Sequence, residues 1–250
     1  RIEDIDSQRS SKVFEESIYE DLEWLQIKYS TEIRHQSEHM EDYKGAIKEL
    51  QKLDMVYPCF CSRSDIKAEI MRAGNAPHEE ESSIYPGTCR RLSKEERFEK
   101  ISKEISYAWR LNIRAASKKL GNLSWNDLRL GNHVLPVGTM GDVVLARKDV
   151  PTSYHLSATL DDHIQRIGLV TRGEDLVSAT HIHRIIQSLL GLKSPRYLHH
   201  PLILDSKGVR LSKRTRAQTV KSLKASGLKR SDVIDLFGKD NILTLLRLIK

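Results

Sequence analysis

Nowhere does the sequence approach the ~18 consecutive apolar residues that a membrane-spanning helix needs, so no helical span is expected within these 250 residues. Three cysteines in 250 residues are too few, and odd in number, for a disulfide framework; reduced thiols and a cytoplasmic location are expected instead. There is no internal repeat and no low-complexity tract, which leaves out solenoids and disordered arrays. The sequence opens on Arg1 rather than Met, inside what reads as the end of a strand, so the natural start is expected upstream.

What is present is the balance of an ordinary soluble globular protein, 39% hydrophobic and 30% charged. The length suits one large domain or a domain carrying an insertion. The net charge of +7 is uneven: Lys193 to Arg230 holds eleven Lys or Arg against one acid, Asp205. That local +10 leaves −3 for the remainder. Such a segment fits a polyanionic partner, and equally a solvated basic surface.

Phe14, Ile18, Leu22 and Leu25 fall on one helical face behind a Ser10 or Ser11 cap. Tyr43, Ile47, Leu50 and Leu53 predict a second helix, Val56 to Cys61 extended chain, and Ser64-Asp65 the start of a helix stopping near Gly74. Alternation at Tyr107, Trp109, Leu111 and Ile113 predicts a strand with one wet face. Further strands are expected at Asp142 to Ala146, Tyr154 to Leu160, Leu169-Val170 and Leu202 to Leu204. Ala179, Ile182, Ile186 and Leu189 predict a helix closed by Gly191, and Leu223, Val233, Ile234 and Leu236 are core positions of a helical ending. Strands alternating with helices imply an α/β sheet. Its two parts are expected at 1–56 and 133–210, split by an inserted α+β domain at 57–132 and followed by a basic loop and helical segment at 211–250.

Three constellations carry chemistry. Cys59 and Cys61 form a Cys-x-Cys pair, and Cys89 follows 28 positions later. Structural zinc takes four ligands, so a fourth is needed, with His78 and Tyr85 both in the interval. Imidazole favours His78 on chemistry alone, and three unrelated buried cysteines are the plainer alternative. Arg210-Leu211-Ser212-Lys213-Arg214 follows a glycine turn and suits a triphosphate, though an isolated basic loop is commonly a surface turn. Glu3, in the acidic opening, can accept a substrate ammonium at the carboxyl edge of a sheet, and Arg172 can fork a substrate carboxylate. Their plainer reading is an internal Arg–carboxylate pair.

Six ordered stretches are specific together where each alone is weak: RIEDIDSQR (1–9), DVVLARKD (142–149), SYHLSATLDD (153–162), VTRGEDL (170–176), PRYLHHPL (195–202) and RLSKR (210–214). They resemble the glutamyl and glutaminyl branch of class I aminoacyl-tRNA synthetases over nearly the whole chain. The resemblance implies a Rossmann-like parallel sheet, a zinc-containing insertion, and ATP-dependent activation of glutamate with magnesium. It implies glutamate contacts from Glu3, Tyr154 and Arg172. It also makes RLSKR the KMSKS-like loop, with Lys213 as its catalytic lysine. CFC followed by YPGTC is similar to the zinc site of the short members of the branch, which implies the ligand set Cys59, Cys61, Tyr85 and Cys89 over His78. Those members lack an anticodon-binding domain and glutamylate queuosine in tRNA(Asp), as an ending soon after RLSKR also implies. A monomer is expected.

There are departures. The HIGH-like motif of the branch would precede Arg1, and with it half of the ATP site. Val150 stands where relatives place glycine, and Asn241 to Lys250 look unlike the branch. Three rivals follow: part of an ordinary glutamyl-tRNA synthetase, a non-catalytic glutamate- or RNA-binding paralogue, and, last, a zinc-dependent nucleic-acid binder.

Overall fold

The computed structural model describes residues 1–6, 10–66, 85–202 and 219–236. Its helices and strands run α1 (Lys12–Trp24), α2 (Met40–Lys52), β1 (Val56–Cys59), α3 (Lys94–Ser102), β2 (Ala108–Leu111), α4 (Ile113–Leu120), β3 (Ser124–Asp127) and β4 (Gly131–Val134). They continue β5 (Val144–Ala146), α5 (Tyr154–Ile164), β6 (Leu169–Gly173), α6 (Val177–Leu190), β7 (Arg196–His200), α7 (Val220–Ala225) and α8 (Arg230–Leu236).

Two sheets organise them. One is antiparallel in the order β1-β2-β5. The other has the order β4-β3-β7-β6, with β6, β7 and β3 parallel and β4 folded back on β3. Helix α6 links β6 to β7, the crossover that parallel strands require. The α/β architecture with Rossmann-like parallel strands is therefore present. In register, Arg172 of β6 faces His199 of β7, and Asp127 of β3 faces Tyr197. Arg172, His199 and Asp127 lie toward the carboxyl ends of their strands, the edge where open α/β sheets gather ligands.

The strand pairing crosses the expected limits of the insertion. The hairpin β3–β4 straddles residue 132, and β3 joins the main sheet through β7, whereas β5 pairs with β2. Composition marks the cysteine-bearing stretch but carries no information on strand partners. Burial does: Trp125 and Asp127 face inward on β3.

Helix α2 buries Tyr43, Ala46, Ile47 and Leu50, as its spacing predicts. Helix α6 buries Ala179, Ile182, Ile186 and Leu189 and ends at Gly191, whose φ of 66° suits a residue without a side chain. Apart from Ala179, these residues share one core with Leu111, Ile113, Leu145 and Leu156 from the rest of the fold. Each fully buried Leu or Ile contributes roughly 1.5–3 kcal/mol. Helix α1 is capped by Ser11, which accepts from the Phe14 N–H, but buries none of its residues; Phe14 is 61% exposed. Val233 of α8 is buried.

Tyr154 to Leu160 corrects the expected strand: it is the start of α5. Residues 156–159 are all buried, so helical periodicity is lost, while Thr159 mimics strand composition. Pro151 and the N-cap position of Ser153 are the overlooked start signals. Ile113 likewise begins α4 rather than ending a strand, with the Asn112 side chain accepting from the Ala115 N–H. Leu202 lies past β7 and outside any strand, and Ile203 and Leu204 lie outside the described residues.

Candidate functional site

The carboxyl edge of the parallel strands centres on Arg172. Its Nε donates to His199 Nε2 at 3.1 Å, one terminal nitrogen to the Tyr154 hydroxyl at 3.0 Å, and the other to Thr180 Oγ1. The first of these terminal nitrogens also lies 3.4 Å from His183 Nδ1. Strand β6 supplies the arginine, the first turn of α5 the tyrosine, and α6 both Thr180 and His183. Every acceptor is neutral. Among the described residues no carboxylate forms an ion pair with Arg172, so the internal-pair reading does not hold for this residue.

Glu3 does have an internal partner. Arg1 donates to Glu3 at 3.0 Å and to Asp162, on α5, at 2.8 Å. The N-terminal segment is fixed further by a parallel bridge between Ile2 and His35. Burial pushes the Tyr154 phenol up, opposed by Arg172 and reinforced by the charges of Glu3 and Asp162. Burial likewise raises Asp162, opposed by Arg1 and Arg172. Tyr154, at the start of α5, is bonded to Arg172, whereas Glu3 is tied through Arg1 to Asp162 near the other end of that helix; the charge of Glu3 still reaches Tyr154.

Two imidazoles line the same region and stay neutral. Burial, with Arg172 nearby, brings His155 down to about 4 and takes His183 well below the ordinary range. Among the described residues, His155 Nδ1 and His183 Nε2 have no hydrogen-bond partner. Arg1, Asp127, Asp162, Thr180, His183 and His199 escaped the sequence reading as individual site residues. Three of these six, Arg1, Asp162 and His199, lie inside the quoted stretches; Thr180 and His183 lie on the predicted helix outside them, and only Asp127 had no signal at all.

The second site is the thiol cluster. The Sγ atoms of Cys59, Cys61 and Cys89 lie within 4.8 Å of one another. The Tyr85 hydroxyl stands 3.4 Å from Cys59 Sγ and 3.6 Å from Cys61 Sγ, and accepts the Cys89 N–H at 2.9 Å. A tetrahedral zinc with Zn–S bonds of ~2.3 Å requires sulfurs about 3.8 Å apart, so this donor set fits the ion with little movement. Gly87 lets the turn bring Tyr85 and Cys89 together: its φ is 82°, and a Cβ there would meet Arg90 Nη2 at 2.7 Å. A hydrogen bond from Cys59 brings the Cys89 thiol down to about 6, and the same bond with burial pushes Cys59 up to about 12. Arg110 lies 4.0 Å over the Tyr85 ring, and its charge opposes the rise at Cys59.

His78, Arg210, Leu211, Ser212, Lys213 and Arg214 lie outside the described residues. Val150 closes its turn by accepting the Arg147 N–H at 2.8 Å, without a left-handed φ, which removes the need for glycine there.

The carboxyl edge of the parallel strands thus presents a guanidinium that has no ion-pair partner among the described residues. The chain belongs to the class I (E and Q) tRNA synthetase family: the family model described as tRNA synthetases class I (E and Q), catalytic domain, matches residues 1–239. It is 38% identical over 247 residues to the glutamyl-Q tRNA(Asp) synthetase of Rhodobacter capsulatus, covering 95% of this chain and 86% of that protein. It is 37% identical to the glutamate–tRNA ligase of a Hydrogenobaculum species, covering 91% of this chain but 47% of that one. A crystal structure of the glutamate tRNA ligase from Elizabethkingia meningosepticum, in complex with its amino acid, superposes with a TM-score of 0.71 at 26% identity, over 91% of this chain and 46% of that one. The chain thus spans most of the first relative and about half of the two ligases. Among the described residues no helix is long and apolar enough to cross a membrane.

Proposed function

We propose that this chain activates glutamate with ATP and transfers the glutamyl group to queuosine in the anticodon of tRNA(Asp). The observation that carries the reading is the guanidinium of Arg172, bonded to neutral acceptors and without a carboxylate partner among the described residues. A buried-edge cation in that state is made for an anionic ligand. Tyr154, already accepting from Arg172, has its own hydroxyl hydrogen left to donate to the same carboxylate. Glu3 takes the substrate ammonium in exchange for part of its pairing with Arg1.

In the first step a glutamate carboxylate oxygen attacks the α-phosphorus of ATP. The bond from that phosphorus to the bridging oxygen breaks, and pyrophosphate leaves with the electron pair. The site holds the reactants in line and needs no protein nucleophile. Lys213, with Arg210, Leu211, Ser212 and Arg214 around it, neutralises the phosphates together with magnesium. In the second step a hydroxyl of the queuosine cyclopentenediol attacks the acyl carbon, an ester forms, and AMP departs. The short relative from Rhodobacter capsulatus, matched over most of its length, supports queuosine as acceptor. The glutamate–tRNA ligase likeness keeps tRNA(Glu) as the second reading.

Cys59, Cys61, Cys89 and Tyr85 hold a structural zinc in this reading, with 57–132 as the zinc-bearing region, which lends β3 to the main sheet and takes β5 onto β2, the two catalytic parts at 1–56 and 133–210, and a basic, helical segment at 211–250. The protein acts as a monomer in the cytoplasm. Charging of tRNA(Asp) with and without queuosine, alongside tRNA(Glu), tests the acceptor. Glutamylation confined to queuosine-containing tRNA(Asp) is expected, and charging of tRNA(Glu) overturns the assignment.

A further inference from the structure

Asp127, the last residue of β3, is buried to 1% exposure, and four donors converge on its carboxylate, whose pKa they hold below the ordinary value against the opposing effect of burial. One oxygen accepts the N–H groups of Arg129 and Leu130, each at 2.9 Å. The other accepts the His199 N–H at 2.9 Å and the His199 ring Nδ1 at 2.6 Å. A carboxylate only accepts, so the Nδ1 of His199 must carry the ring proton. Nε2 is then a bare acceptor, and it receives the Arg172 Nε–H at 3.1 Å. The register across β3, β7 and β6 strings these three groups along the carboxyl edge of the sheet.

We propose that Asp127 and His199 are positioning residues that set the orientation of the Arg172 clamp. Asp127 fixes the tautomer of His199, and that tautomer offers Arg172 Nε an acceptor that turns the guanidinium face toward Tyr154. The opposite tautomer puts an N–H against the Arg172 N–H, and the clamp loses its anchor. Fixing a ring nitrogen through its other nitrogen is the way buried histidines are generally oriented. Thr180 Oγ1, 3.1 Å from His199 Nε2 and bonded to Arg172, braces the same corner from α6. The neutral state of His199 agrees: burial and Arg172 lower it more than Asp127 raises it.

The proposal rests on the glutamate reading of Arg172, and its test separates the two. Nitrogen NMR of the His199 ring reports the tautomer without any substrate. The Nδ1–H form is expected in the native protein and the Nε2–H form in Asp127→Asn. An Nε2–H ring in the native protein overturns the relay. Calorimetric glutamate binding is then expected to weaken about tenfold or more in Asp127→Asn, the scale of one hydrogen bond to a charged group, with the KM for ATP unchanged. His199→Gln, which keeps an acceptor near Arg172, is expected to bind glutamate better than His199→Asn, which keeps only a donor toward Asp127. This pair serves even if Asp127→Asn fails to fold, and equal binding by the two overturns the relay. Intact glutamate binding in Arg172→Ala contradicts the pocket reading instead, and the tautomer measurement still decides the relay.

Discussion

Tyr154 and Arg172 meet at 3.0 Å, guanidinium to phenol oxygen, although eighteen positions and a change from helix to strand separate them. The contact ties the two groups together and leaves the phenol hydrogen available to a further acceptor. Tyr154→Phe removes a single donor there. The expected result is a KM for glutamate raised about 10- to 100-fold, as for one hydrogen bond to a charged group, with the KM for ATP unchanged. Pyrophosphate exchange at varied glutamate measures it, and an unaltered glutamate KM contradicts the assigned contact.

Asp161, fully buried on α5, accepts from Arg34 at 2.9 Å, Gln36 at 2.8 Å and Tyr43 at 2.9 Å. It joins the segment after α1 to α2 and α5. Asp161→Ala leaves three donors without their acceptor, one of them charged. A loss of about 3–5 kcal/mol is expected, as for breaking a buried ion pair, read from urea unfolding midpoints. A loss below ~1 kcal/mol would show that the junction is wet.

Stability should decline on mild acidification. His155, at about 4, and His183, well below its ordinary range, stay neutral in the fold. Free imidazoles protonate near ~6.5. Between about pH 6.5 and 4 the unfolded chain therefore binds protons that the folded chain refuses, and stability falls as pH drops through that window. For His155 the full effect is about 3 kcal/mol at about 1.4 kcal/mol per pH unit. Urea midpoints at pH 7 and pH 5 for the native chain and His155→Asn measure it. The variant should show the shallower decline, and identical slopes would contradict neutral burial.

About one zinc per chain is expected, with a thermal midpoint that falls on chelation. Tyr85→Phe should release zinc to a chelator more readily, because one of four donors is gone. Metal analysis and competitive chelation measure both effects. Retention at native affinity would remove Tyr85 from the ligand set.

The parts legible in the sequence were those where one face is buried and the other wet. Helices α2 and α6 announced themselves through Tyr43, Ile47 and Leu50, and through Ala179, Ile182, Ile186 and Leu189. Helix α5 did not, because residues 156–159 are buried together and leave no stripe to detect. Strand β7 was missed because His199 and His200 look polar, yet His199 is wholly buried on its Asp127 bond. Of the candidate site, Tyr154 and Arg172 were found through ordered motifs, and their contact supplies the geometry. Asp127 belongs to a hairpin whose partner strand lies seventy residues downstream, and no local pattern reveals such a pairing. The cysteines were legible as a set, whereas the nearness of Tyr85 depends on the turn that Gly87 permits.

The most direct measurement is a crystal structure of this chain soaked with glutamate. A carboxylate of the ligand is expected within about 3 Å of both the Arg172 guanidinium and the Tyr154 hydroxyl, with its ammonium toward Glu3. Glutamate bound elsewhere, with Arg172 still held only by His199, Tyr154 and Thr180, would contradict the clamp.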